Sequence, residues 1–234
     1  PMKGHQNMIK VFIGYDENET VAFHVLAHSI MRHSSQPVEI VPVVKSQMSS
    51  FYKRERAVIE STDFSFTRFL TPYLCGFEGW AIFVDCDMLV TSDIAELWAL
   101  RDDKYALMCV KHDYQPVGET KFLNQPQTKY EKKNWSSVMM FNNKKCTILT
   151  PEIVSTETGL YLHQFKWLEN DDLIGGIPNE WNYLVGEEKP VGKTPKLIHY
   201  TLGGPYFDPY KDCQYADIWR DELKRLNYAT QLKK

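Results

Sequence analysis

Two carboxylates one residue apart, Asp85 and Asp87, end the apolar run Trp80-Ala81-Ile82-Phe83-Val84. Cys86 separates them, and a second short apolar stretch, Met88-Leu89-Val90, follows. Paired carboxylates are hard oxygen ligands. Mg²⁺ or Mn²⁺ suits them, held by one or two acids while waters and substrate phosphates fill the remaining positions. The same spacing also arises where two acids merely end a strand and solvate a turn, because short motifs recur by chance. The elements around the pair decide between these readings.

Those elements alternate. Residues 9–14 read as a strand, 21–33 as a helix and 39–44 as a second, β-branched strand. A helical segment over 66–74 leads through Gly76 and Gly79 into the strand at 80–85. Asp93 with Glu96 has the form of a capping box opening a short helix to Leu100. Residues 106–110, 137–142 and 196–199 are further strands. The chain closes in an amphipathic helix over 216–228, with Ile218, Trp219, Leu223 and Leu226 on one face. Strands alternating with helices predict an α/β fold with a mostly parallel sheet covered on both faces. In such sheets ligands bind outside the carboxyl ends of the strands, where Asp85 and Asp87 stand. The polar stretch 113–134, with Pro116, Gly118 and Pro126, reads as a long functional or mobile loop.

With 234 residues, 43% of them hydrophobic, the chain can bury one substantial core. Residues 1–7 read as a cloning scar and 8–234 as a single domain. A formal charge of −3 gives no basic field, which argues against a nucleic-acid partner. Five dispersed cysteines without a C-x-x-C fit reduced thiols in a cytoplasmic protein. No apolar run reaches the ~18 residues of a membrane span, so no transmembrane segment is expected.

The first strand runs into Gly14-Tyr15-Asp16, the place where a nucleotide lies in a doubly wound sheet. There glycine allows close approach, Tyr15 offers a ring face, and Asp16 can accept hydrogen bonds from base or ribose. An ordinary turn with a helix-capping acid fits the same residues. Neither G-x-G-x-x-G nor a P-loop is present, which disfavours hydride transfer and P-loop chemistry. His24 and His28, one helical turn apart without a third ligand, read as structural. Trp135, Met139, Met140 and Phe141 read as core, with Trp135 a potential sugar platform.

Four blocks in order resemble the GT-A glycosyltransferases of the family containing glycogenin and bacterial lipopolysaccharide galactosyltransferases. They are Val11-Phe12-Ile13-Gly14-Tyr15-Asp16, Ser65-Phe66-Thr67-Arg68-Phe69-Leu70-Thr71-Pro72, Asp85-Cys86-Asp87 and Ile198-His199-Tyr200. Two looser blocks are similar as well: Trp135-Ser136-Ser137-Val138-Met139-Met140-Phe141-Asn142, and Asn170-Asp171-Asp172-Leu173 with Trp181-Asn182. The resemblance implies a GT-A domain that moves a sugar from a nucleotide-diphosphate sugar, a UDP-sugar or GDP-mannose, to a saccharide or other hydroxyl acceptor. It implies retention of configuration and a Mn²⁺ or Mg²⁺ ion held by Asp85, Asp87 and His199. Ile13, Gly14, Tyr15, Asp16, Arg68, Asp85, Cys86, Asp87, Ser136, Ser137, Gly203 and Gly204 are then expected to bind the donor. Arg68 with Asp171 or Asp172 would serve the reaction. Such a cation neutralises charge on the departing diphosphate as a Lewis acid, and the Arg68 fork can orient a carboxylate or phosphate oxygen.

The chain also departs from that family. Gly204 stands where a phosphate-gripping lysine is expected, and Asp171-Asp172 replaces Asp-Gln. The N–H groups of Gly203 and Gly204 could form an anion-binding concavity instead, or Lys111 or Lys211 could fold back. Two other functions fit the sequence: a sugar-1-phosphate nucleotidyltransferase, disfavoured by the missing Gly- and Arg-rich loop after the first strand, and a carbohydrate- or nucleotide-binding module without turnover.

Overall fold

Six strands form the main sheet of the computed structural model, which describes residues 8–55, 60–113, 131–190 and 192–228. The expected scar at 1–7 and most of the loop expected at 113–134 lie outside the described residues. In spatial order the strands are β2 (Val38–Val43), β1 (Ile9–Gly14), β3 (Trp80–Val84), β6 (Val138–Asn142), β5 (Leu107–Cys109) and β7 (Ile174–Gly176). Only β6 runs against the others, since β1 pairs in parallel with β2 and β3 while β6 is antiparallel to both β3 and β5. The mostly parallel sheet expected from the alternation is therefore present. All five residues of β3 and of β6 are buried. Successive side chains of a strand point to opposite faces, so both faces of the sheet centre are covered.

A second sheet of three strands takes over where β3 ends. It comprises β4 (Met88–Val90), β9 (Leu197–His199) and β8 (Tyr183–Leu184). Antiparallel pairing sets Met88 opposite His199, and the Tyr200 N–H donates to the Asp87 carbonyl at 2.8 Å. The turn Asp85-Cys86-Asp87 is thus the hinge between two sheets. Residues more than a hundred positions apart meet there because of strand register, not sequence proximity.

Helix α1 (Thr20–His33) buries Phe23, Leu26 and Ile30 against the main core and Val25 against the smaller core under the second sheet. Residues 67–74 form a 3-10 turn (Thr67–Leu70) continuing into α2 (Thr71–Leu74), with Pro72 in the first turn where its missing N–H costs nothing. Helix α3 (Ile94–Trp98) starts where expected, the Asp93 carboxylate accepting from the Ala95 N–H at 2.9 Å. The capping box does not close, because Glu96 pairs with Lys196 at 2.8 Å.

Two short helices, α4 (Pro151–Thr156) and α5 (Gly159–His163), carry threonine caps, Thr150 and Thr158. The last helix, α6 (Ala216–Asn227), buries Ala216, Trp219 and Glu222, whereas Leu226 is exposed and does not belong to the packed face. Glu222 takes its place: Arg32 donates to both of its carboxylate oxygens at 3.1 and 3.0 Å, and His28 lies 3.2 Å away. A buried acid is tolerated here because it is ion-paired to α1, and His28 is structural as expected.

Candidate metal and donor site

Asp85, Asp87 and His199 each present one ligand atom, and the three atoms lie within 4.8 Å of one another. His199 Nε2 is 3.3 Å from Asp87 Oδ1 and 3.9 Å from Asp85 Oδ2. Adjacent oxygens around a small octahedral cation bound at ~2.1 Å stand about 3.0 Å apart, so these spacings suit one divalent ion. The hydrogen bonds set the tautomer of His199. Asn182 Nδ2 donates to Ser137 Oγ at 2.8 Å, which turns its carbonyl oxygen to His199 Nδ1 at 3.0 Å. Nδ1 therefore carries a proton, and in the neutral ring Nε2 directs its lone pair at the carboxylates. Asp87 Oδ1 is buried and lacks a hydrogen-bond donor. Two facing lone pairs and an orphaned carboxylate oxygen fit a cation bound between them.

Electrostatics points the same way. Burial raises the Asp85 carboxyl to about 6, against the pull of the Arg68 guanidinium. For His199 burial opposes the imidazolium, yet the Asp87 and Asp85 carboxylates outweigh it and hold the ring above its ordinary value. A metal must displace those protons. Metal affinity is accordingly expected to rise with pH through the range from about 6 upward set by Asp85 and His199, by about tenfold per pH unit for each proton displaced, and then to level off. Calorimetry of Mn²⁺ binding in two buffers of different ionisation enthalpy reads the proton release directly. A pH-independent affinity between 5.5 and 8 would refute the ligand set.

Arg68 is buried, and three of its five N–H donors are accounted for by protein acceptors. Nε donates to the Phe64 carbonyl at 3.1 Å, and Nη1 to Asp85 Oδ1 and to the Ser136 carbonyl, both at 2.8 Å. Through Nη1 it orients the Asp85 carboxylate, one of the three candidate metal ligands, rather than an exposed acid. Glu19, which sequence reasoning missed, also borders the acids. Burial and the neighbouring Asp87 push its carboxyl up to about 7, while the Tyr206 hydroxyl, donating at 2.7 Å, works against the shift.

Beside Asp85 and Arg68 opens a cavity of about 850 Å³ lined by Ser136, Ser137, Lys132, Lys133, Arg54 and His163 among others. A smaller one of about 380 Å³, sharing Arg54, lies at the carboxyl ends of β1 and β2 against Tyr15, Val44 and Lys45. Tyr15 thus lines a cleft at the carboxyl end of β1.

Other expected donor-site residues are committed within the protein. Ile13 is fully buried in β1, and the space a Cβ on Gly14 would need is filled by the Phe64 ring at 2.4 Å, so this glycine admits a protein side chain. Asp16 caps the turn: one oxygen accepts from the Asn18 N–H at 2.9 Å and the other from the Asp63 N–H at 3.1 Å. The Cys86 side chain is in the core. Ser137 Oγ donates to the Asn134 carbonyl at 2.7 Å and accepts from Asn182, supporting His199.

The glycines after His199 do not form an open cradle. The Gly203 N–H donates to the Tyr200 carbonyl at 3.0 Å, and added Cβ atoms on Gly203 and Gly204 would meet the rings of Tyr210 and Tyr206. The lysines at the large cavity are Lys132 and Lys133, not Lys111 or Lys211. Asp171 and Asp172 are exposed on a turn before β7 and line neither cavity, but Asp171 pairs with Lys132 at 3.1 Å.

A curated relative, Protein CDI of Arabidopsis thaliana, is 50% identical over 226 residues, covering 93% of this chain and 87% of its own. No protein-family profile matches the chain. Among solved structures, the WbbM bifunctional glycosyltransferase aligns over 92% of this chain with a TM-score of 0.62 and 17% identity. The chain spans about half, 49%, of WbbM's length. The galactosyltransferase LgtC, solved with donor and acceptor sugar analogues, aligns over 95% of this chain and 98% of its own, with a TM-score of 0.57 and 12% identity. The fold is that of the GT-A glycosyltransferases. No helix among the described residues is long and apolar enough to cross a membrane.

Proposed function

Since the chain belongs to the family of Protein CDI of Arabidopsis thaliana and carries a GT-A glycosyltransferase fold, we propose that it is a metal-dependent glycosyltransferase. It moves a sugar from a nucleotide-diphosphate sugar, with uridine as the base, to a hydroxyl of an acceptor with retention of configuration. The observation that carries this reading is the convergence of Asp85, Asp87 and His199 beside a cavity large enough for a hexose and its diphosphate. Mn²⁺ or Mg²⁺ held by these three residues would neutralise the departing diphosphate as a Lewis acid.

The protein's own residues do the rest. Arg68 holds Asp85 in place, and Asn182 holds the His199 tautomer. Lys132 and Lys133 bring positive charge to the cavity wall and take the part of the missing family lysine. Of Asp171 and Asp172, the two acids proposed to stabilise the cationic sugar, Asp171 is tied to that wall through its ion pair with Lys132. The base rests in the cleft beside Tyr15.

A thermal-shift panel of UDP-glucose, UDP-galactose, UDP-xylose, GDP-mannose and ADP-glucose, each with Mn²⁺ and with EDTA, tests the reading. A uridine donor at a hundred times its dissociation constant adds about 2.7 kcal/mol of stability, and the shift should vanish in EDTA. Stabilisation by none of them, or equal stabilisation in EDTA, would defeat it. Hydrolysis of the bound donor with Mn²⁺ present distinguishes an enzyme from a binding module. Pyrophosphate release from UTP and a sugar 1-phosphate would instead indicate a nucleotidyltransferase.

A further inference from the structure

We propose that Ser136 Oγ is a one-way hydrogen-bond acceptor that reads a hydroxyl of the transferred sugar, and that His163 is the positioning residue fixing its proton. This rests on the donor reading above and adds which part of the donor faces this wall of the cavity.

The argument is a proton count. His163 Nε2 lies 2.8 Å from the Ser65 carbonyl, which can only accept, so Nε2 bears a hydrogen. Burial, aided by the Arg68 charge, lowers the imidazole to about 3, so the ring is neutral and Nδ1 has only a lone pair. Ser136 Oγ, 2.7 Å from Nδ1, must therefore donate its single hydrogen to the histidine. The ring has little freedom to turn away, held edge-on against Phe69 at 5.1 Å and Phe66 at 6.0 Å. Ser136 and His163 both line the large cavity. What Ser136 offers a ligand is then lone pairs alone.

An ionised diphosphate is acceptor-only at neutral pH and would set lone pair against lone pair at this position. A sugar hydroxyl, which donates, satisfies it. The diphosphate is thereby turned toward the Asp85–Asp87–His199 cluster and the lysines, and the sugar toward Ser136. Ser137, one residue on, spends its hydrogen on Asn134 and one of its two lone pairs on Asn182, so it keeps one lone pair where Ser136 keeps two. A site that hydrogen-bonds a substrate hydroxyl also discriminates against analogues lacking it.

The test compares UDP with UDP-glucose and UDP-galactose on the full chain with Mn²⁺. Ser136→Ala removes one oxygen from a tightly packed position and should weaken the better-bound UDP-hexose about tenfold while leaving UDP within twofold. His163→Gln, whose amide can accept from Ser136 and donate to the Ser65 carbonyl, should retain most of the preference for UDP-hexose over UDP. His163→Leu, which frees the serine hydrogen, should lose it. Equal loss of UDP and UDP-hexose in Ser136→Ala would place the serine on the diphosphate and overturn the proposal, as would no loss of either. If wild-type protein binds none of the three with Mn²⁺, the donor reading itself fails and takes this inference with it.

Discussion

Asp87→Ala is expected to abolish Mn²⁺-dependent donor binding and to lower turnover by roughly 10³-fold or more, because the cation is the main counter-charge to the leaving diphosphate. The same substitution should not unfold the protein. Asp87 Oδ1 is buried without a donor, and the carboxylate raises the cost of ionising Asp85 and Glu19 nearby. In EDTA the variant should therefore melt at the wild-type temperature or above it, while the upward shift given by Mn²⁺ with a UDP-sugar disappears. That combination, function lost and stability kept, is the mark of a residue retained for a ligand and not for packing. Replacing the supporting Asn182 with Leu should act more gently, costing about 10- to 100-fold in metal affinity, as is usual for a group that only orients a ligand. An Asp87→Ala protein that keeps its Mn²⁺ shift would remove Asp87 from the metal site.

The Asp85–Asp87 pair was legible in the sequence because it follows a strand end, where periodicity is a strong guide, whereas His199 joined it only through the resemblance of Ile198-His199-Tyr200 to a family motif. Trp80–Val84 stops where the carboxylates begin, and Leu197–His199 stops on the histidine. That the two ends meet depends on Met88 lying opposite His199, a register in a three-stranded sheet that no local pattern encodes. Local sequence also could not tell which polar groups the fold uses up internally. Asp16 has a nucleotide-site position but spends its oxygens on Asn18 and Asp63, and Gly14 is small for the sake of Phe64, fifty residues away. His163 was invisible for the same reason. It sits on a one-turn helix with no motif around it, and its role comes from Ser65 and Ser136, distant in the chain and joined only by packing. In α6 the apolar spacing suggested a stripe ending at Leu226, yet the buried position is Glu222, because Arg32 and His28 on the facing helix supply its partners.

Arg68→Met is expected to cost roughly 3–5 kcal/mol of stability, the usual penalty for removing one partner of a buried ion pair. Arg68 and Asp85 are both largely shielded, with side-chain exposures of 7% and 14% at a separation of 2.8 Å. Methionine fills the volume between Phe64 and Phe83, so the loss is one of charge and hydrogen bonds and not of packing. Two further groups would be stranded, the Phe64 and Ser136 carbonyls that the guanidinium now satisfies. The sign of the accompanying pH effect follows from Asp85. Its carboxyl already stands at about 6 with the arginine pulling it down, so removing the cation raises it further. Mn²⁺ binding in Arg68→Met should then require a higher pH than in wild type, even where the protein is folded. Adding Asp85→Asn to Arg68→Met removes the stranded charge and should recover most of the stability measured by urea unfolding in EDTA, without recovering metal binding. If Arg68→Met alone is as stable as wild type, or if the double variant is no more stable than the single one, the ion pair is not what holds this end of β3.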